Sequence, residues 1–102
     1  MSLTPDDVPR LPRGVRMRFD SVRSAHVLLA PERTFDLDQN AVAVLTLVDG
    51  TRSIRAIADE LARTYEADRG VIEPDVIAML NGLREKRVLD AGPPQEAPAP
   101  RA

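Results

Sequence analysis

Residues 15–20, VRMRFD, alternate strictly: Val15, Met17 and Phe19 fall on one side, Arg16, Arg18 and Asp20 on the other. A period of two predicts a half-buried strand, because successive side chains of a strand point to opposite faces. After the polar turn SVRS, the stretch AHVLLA (25–30) is apolar on both faces for much of its length, as a covered central strand would be. PER (31–33) turns the chain, since Pro31 cannot donate to a ladder. RTFDL (33–37) then reads as a short third strand. Connections this brief leave no room for crossovers, so the three strands form an antiparallel meander whose third strand is an edge.

From Asp38 onward the period changes. Asp38 precedes a dense apolar run and predicts an N-cap, its carboxylate accepting from the orphan amides of a first turn. The helix over 41–48, AVAVLTLV, is apolar nearly all round, which predicts burial, and Asp49-Gly50 ends it. Ser53 caps a second helix whose stripe is Ile54, Ile57, Ala58, Leu61 and Tyr65. The stretch EADRG breaks it. A third helix starts near Ile72 or Glu73, because Pro74 is tolerable only in a first turn, and turns Val76, Ile77, Leu80 and Leu83 inward. Val88 and Leu89 close the unit as an extended piece. The fold class expected is α+β: a three-stranded antiparallel sheet followed by three helices, winged helix-turn-helix-like.

Composition narrows the folded part. Seven of nine prolines lie in the first and last dozen residues of the 102-residue chain, where large apolar side chains are scarce. Such segments bury too little to offset an ordering cost of roughly 1–2 kcal/mol per residue. Residues 1–13 and 91–102 are therefore expected to be disordered tails flanking a single domain over 14–90. The absence of cysteine removes disulfide and thiolate chemistry, and no apolar run reaches the roughly 18 residues of a membrane span. A cytoplasmic protein that does not engage membranes is the expectation.

Candidate chemistry thins out further. His26, inside a strand, is the single histidine, so neither a metal cluster nor a nucleophilic triad can be assembled around it. The five glycines never occur in a phosphate-binding pattern. No enzymatic activity and no cofactor are expected. A winged-helix nucleic-acid binder is the alternative the turn invites. Its recognition surface would be residues 53–90, which carry six basic against eight acidic residues, with Glu73 and Asp75 opening the last helix. Counterion release needs cations facing phosphates, so this surface disfavours nucleic acid. Peptide recognition remains, together with a dimerisation module built on the same edge: a short edge strand beside a helix can accept an extended chain as another strand.

The pieces PRLPRGVRMRFD (9–20), VLLAPERTFDLDQNAVAVLTLVDGTRSI (27–54), IADEL (57–61) and DVIAMLNGLREKRVL (75–89) occur in an order and spacing that resembles the PqqD family of pyrroloquinoline quinone biosynthesis. The resemblance covers about residues 9–90. It implies a recognition element that binds the leader of a ribosomally made precursor, the peptide PqqA, and presents it to the radical S-adenosylmethionine enzyme PqqE. It also implies a fused or adjacent pathway enzyme as a neighbour. The family's leader site, carried onto this chain, is Arg33, Thr34, Phe35, Asp36 and Leu37 with Val76, Ile77, Leu80, Leu83 and Arg84. Pro74 departs from the pattern at the N-terminal end of that groove.

Overall fold

The computed structural model describes residues 3–93. The elements run β1 (Val8–Arg10), β2 (Arg16–Asp20), β3 (Ala25–Ala30), β4 (Arg33–Asp36), α1 (Gln39–Thr46), α2 (Ile54–Tyr65), α3 (Arg69–Glu85) and β5 (Asp90–Gly92). Strands β2, β3 and β4 form the expected antiparallel meander, with Met17 opposite Leu28 and Leu28 opposite Phe35. The inner face of this sheet and the three helices enclose a core that includes Leu28, Ile54, Ile57, Leu80, Val88 and Leu89. Both predicted caps are present: Asp38 accepts from the Ala41 amide at 2.8 Å and Ser53 from the Ala56 amide at 3.1 Å. Gly50 has a φ of +83°, the left-handed conformation its place after α1 demands.

The N-terminal segment differs most from expectation. Where the sequence predicts a tail over 1–13, residues 3–13 are packed. Leu3 and Val8 are each 4% exposed, and Pro9 lies fully buried in β1, a strand the sequence pattern does not reveal, which pairs antiparallel with β5. The prolines fit because this segment supplies carbonyls where amides are lacking. The Pro5 and Asp7 carbonyls accept from the Arg55 and Ile54 amides at 2.8 and 2.9 Å, satisfying two orphan donors at the start of α2. Asp6 pairs with Arg55, and the Leu3 amide donates to the Asn81 side-chain oxygen on α3. The ordered unit also runs past residue 90 into β5; the rest of the expected C-terminal tail, residues 94–102, lies outside the described residues.

Helix α3 begins one turn earlier than Pro74 suggests. Asp68 caps it by accepting from the Gly70 amide at 2.9 Å, so Pro74 sits in the second turn. The missing proline N–H removes the bond that would have reached the Gly70 carbonyl. Arg69 compensates at this end, pairing with Asp59 of α2 at 2.7 Å and with Glu73 at 3.4 Å. Two smaller differences concern aromatic residues. Phe19, read as inward-facing, is 52% exposed and meets His26 edge-on at 5.1 Å. The buried stripe of α2 stops at Leu61, leaving Tyr65 61% exposed. Helix α1, read as buried all round, buries only Val44 and Leu45 fully.

Candidate functional site

Strand β4 is an edge whose backbone is half used. The Leu37 amide donates to the His26 carbonyl at 3.1 Å. In an antiparallel ladder the bonded pairs alternate, and the register places Phe35 opposite Leu28 and Arg33 opposite Ala30. Phe35 and Arg33 therefore spend their N–H and C=O groups on β3, and Leu37 its N–H, while the groups of Thr34 and Asp36 point away from the sheet. The side chains follow the opposite logic. Arg33, Phe35 and Leu37 share the inner face with Leu28; Thr34 and Asp36 share the outer face with Val27, where Asp36 is held by Arg23 at 2.7 Å.

Helix α3 and β4 run in opposite senses: Arg33 at the start of β4 lies against the end of α3, and Asp38, just past β4, lies beside Ile72 and Asp75 near the helix start. The seam between them forms a groove. One end is closed by Arg33, whose guanidinium donates to the Lys86 carbonyl just past the helix and stands 5.2 Å from the centre of the Phe35 ring. At the other end, past Leu37, α1 and α3 diverge around a cleft of about 600 Å³. Its lining includes Asp38 and Ala43 of the α1 end, Tyr65 of α2, and Ile72, Asp75 and Met79 of α3. Phe35, Leu37 and Leu83 are half-buried against the core between these two ends, an apolar seam that solvent still reaches.

The expected site residues sort unevenly on this frame. Arg33 to Leu37 all lie on the edge strand or its continuation. Successive helical residues turn by about 100°, and that rotation divides the α3 set. By that rotation Leu83, half-buried against the core, falls on the side of Ile72 and Met79, and Val76, only 3% exposed, lies in the wall of the cleft. Leu80 is wholly buried core. Ile77 and Arg84 share the flank of Asn81, which is turned to the N-terminal segment through its bond to the Leu3 amide. Ile72, Asp75 and Met79 stand on the groove side and escaped the sequence reading. The signal that could have found them is the i, i+3, i+7 spacing from Ile72, had Asp68 been taken as the cap.

No helix among the described residues is long and apolar enough to cross a membrane.

These features define a small α+β domain with an open strand edge flanked by a helix, and the comparisons with known proteins say which one. The family model for coenzyme PQQ synthesis protein D (PqqD) matches residues 25–89, and the chain belongs to that family. It is 67% identical over 84 residues to the bifunctional coenzyme PQQ synthesis protein C/D of Methylorubrum extorquens, covering 82% of this chain but spanning only 23% of that relative. It is 48% identical to the PqqA binding protein of Xanthomonas oryzae pv. oryzae over 86% of this chain and 96% of that one. Among solved structures, it is similar to the PqqD truncation of Methylobacterium extorquens PqqCD, a stand-alone recognition element for ribosomally synthesized, post-translationally modified peptides. That match has a TM-score of 0.78 and 63% identity, over 87% of this chain and 95% of that one. Crystalline PqqD from Xanthomonas campestris matches with a TM-score of 0.56 and 43% identity, over 87% and 99%.

Proposed function

We propose that this domain is a peptide chaperone without catalytic activity of its own, binding the leader of the precursor peptide PqqA as an added strand on β4 and presenting it to the radical S-adenosylmethionine enzyme PqqE. The observation that carries the strand addition is the alternation fixed by the Leu37–His26 bond: an N–H and a C=O from each of Thr34 and Asp36 face outward beside an apolar seam. Relatives of matching length are named for binding PqqA, which supports the identity of the guest.

Each new main-chain bond contributes about 0.5–1.5 kcal/mol net. Apolar guest side chains entering the seam contribute about 1.5–3 kcal/mol each when fully buried. These offset an ordering cost of about 2–5 kcal/mol for a disordered peptide. The chemistry belongs to the enzyme; holding the leader raises the effective concentration of the segment to be modified. A neighbouring pathway enzyme, fused or separate, is part of the same arrangement, as the name of the C/D relative suggests.

Titration of the isotope-labelled domain with synthetic PqqA tests the guest and its site together. Amide shifts concentrated in residues 33–37 and along α3 support the reading; shifts absent at large peptide excess, or gathered on the β1–β5 side, overturn it. For presentation, cross-linking of PqqA by PqqE should quicken when the domain is added and stay at its basal rate with a domain variant unable to bind peptide.

A further inference from the structure

The groove is not symmetric in charge. At its wide end the cleft is lined by apolar side chains together with Gln39, Asn40 and Tyr65, with Asp38 and Asp75 as its only charged residues. Asp38 uses one oxygen to cap α1, and Asp75 has no ion pair or hydrogen bond among the described residues. Nearby Arg69 is engaged by Asp59 and Glu73. The narrow end carries Arg33, Lys86 and Arg87, all exposed, against Glu32 and Glu85. A guest with a positive end meets favourable charge at the cleft and like charge at the other end. The strands of this sheet are all antiparallel, and purely antiparallel sheets are favoured over mixed ones. A guest that continues the pattern runs opposite to β4. Since β4 runs toward Asp38, the guest's N-terminal residues reach the cleft and its C-terminal residues leave past Arg33.

We propose that the cleft between α1 and α3 is an anchoring subsite for the N-terminal end of the guest strand, taking a bulky apolar side chain carried beside a positive charge. This rests on the strand-addition reading and extends it: Thr34 and Asp36 supply affinity that tolerates sequence, while the cleft fixes direction and register. Its volume lies within the roughly 300–1,000 Å³ range of small-molecule pockets, room enough for a bulky side chain and its neighbour. Ala43 keeps the α1 wall low, and Ile72 and Met79 present an apolar surface on α3. The cation is held by Asp75 and the free oxygen of Asp38. Charge here contributes selection and orientation more than raw affinity.

The test uses the full chain, the double variant Asp38→Asn/Asp75→Asn, and Thr34→Pro. Asparagine caps a helix as well as aspartate, so the double variant keeps α1. The probes are synthetic PqqA, PqqA shortened from its N-terminus to the strand-pairing segment, and PqqA with glutamate substituted at the positions of that end. The expected results are a loss of about tenfold for full-length PqqA on the double variant, a comparable loss for the glutamate peptide on the wild-type chain, and no effect of the double variant on the shortened peptide. A spin label at the PqqA N-terminus should broaden the methyl signals of Ile72 and Met79 before that of Leu83. If the double variant binds full-length PqqA as the wild type does while Thr34→Pro still loses binding, the anchor is refuted and strand addition stands. If Thr34→Pro, still folded, binds normally, strand addition falls and the anchor with it. Broadening of Leu83 first reverses the guest's direction and refutes the anchor.

Discussion

The Leu37 amide donates inward to the His26 carbonyl, and that single bond decides which backbone groups of β4 are free. Because bonded positions alternate along an antiparallel pair, a proline has opposite consequences at adjacent sites. Thr34→Pro removes an outward amide, so the domain should keep its circular dichroism spectrum and melting temperature within a few degrees while losing at least about tenfold in PqqA affinity. Leu37→Pro removes an amide already bonded to β3 and should destabilise the fold by about 1–3 kcal/mol. Calorimetric titration and thermal melts of the two variants separate these effects.

Arg33 ties the edge strand to the end of α3 through the Lys86 carbonyl. Replacing it with methionine keeps an unbranched apolar stem against Phe35 and removes the tie. The expected cost to stability is about 1 kcal/mol, because the pair is exposed. Peptide binding should weaken several-fold as the groove loses its fixed width. Chemical denaturation and titration of the same sample measure both quantities.

The packing of residues 3–13 makes a prediction about truncation. A chain beginning at residue 14 loses the buried Leu3, Val8 and Pro9, the β1 partner of β5, and two carbonyls that accept from α2. Each large buried apolar side chain contributes about 1.5–3 kcal/mol, so this truncation should melt at least about 10 °C lower or fail to fold. A chain beginning at Leu3 should melt with the full-length protein. Differential scanning calorimetry distinguishes the two.

Asp49 sets an acid limit. Its carboxylate accepts from the Arg52 and Thr51 amides and from the Thr51 hydroxyl, which lowers its pKa from 3.8 to about 2. A group with a depressed folded-state pKa stabilises the fold above its unfolded value, and that contribution is lost as the pH falls through the folded value. The loss should fall between about pH 4 and pH 2. With the side chain 42% exposed, Asp49→Asn should cost under about 1 kcal/mol at neutral pH. The difference between variant and wild type should shrink toward pH 2 in melts recorded across that window.

What could be read in advance followed the strength of the local signals. The meander, Asp38, Gly50 and Ser53 were legible because alternation, capping chemistry and left-handed glycine act over a few residues. Strand β1 was not: three residues centred on Pro9 carry no periodicity, and their role is to pair with β5 about 80 residues away, while Pro5 and Asp7 just before them offer carbonyls to the start of α2, relationships only tertiary structure reveals. On the candidate site, the strand half was legible as an edge. The helix half depended on where α3 begins, which Pro74 obscured by suggesting a late start. With Ile72 left at the margin of the expected helix, its apolar set began at Val76 and included Ile77 and Leu80, and Asp75 and Met79 on the face of Ile72 were passed over.

Hydrogen exchange at single-residue resolution, with and without saturating PqqA, probes the open edge most directly. In the free domain the Phe35 and Leu37 amides should exchange slowly and those of Thr34 and Asp36 quickly. PqqA should slow Thr34 and Asp36 by at least about tenfold, removing the alternation. If PqqA binds and both amides still exchange at their free rates, the guest does not pair with β4.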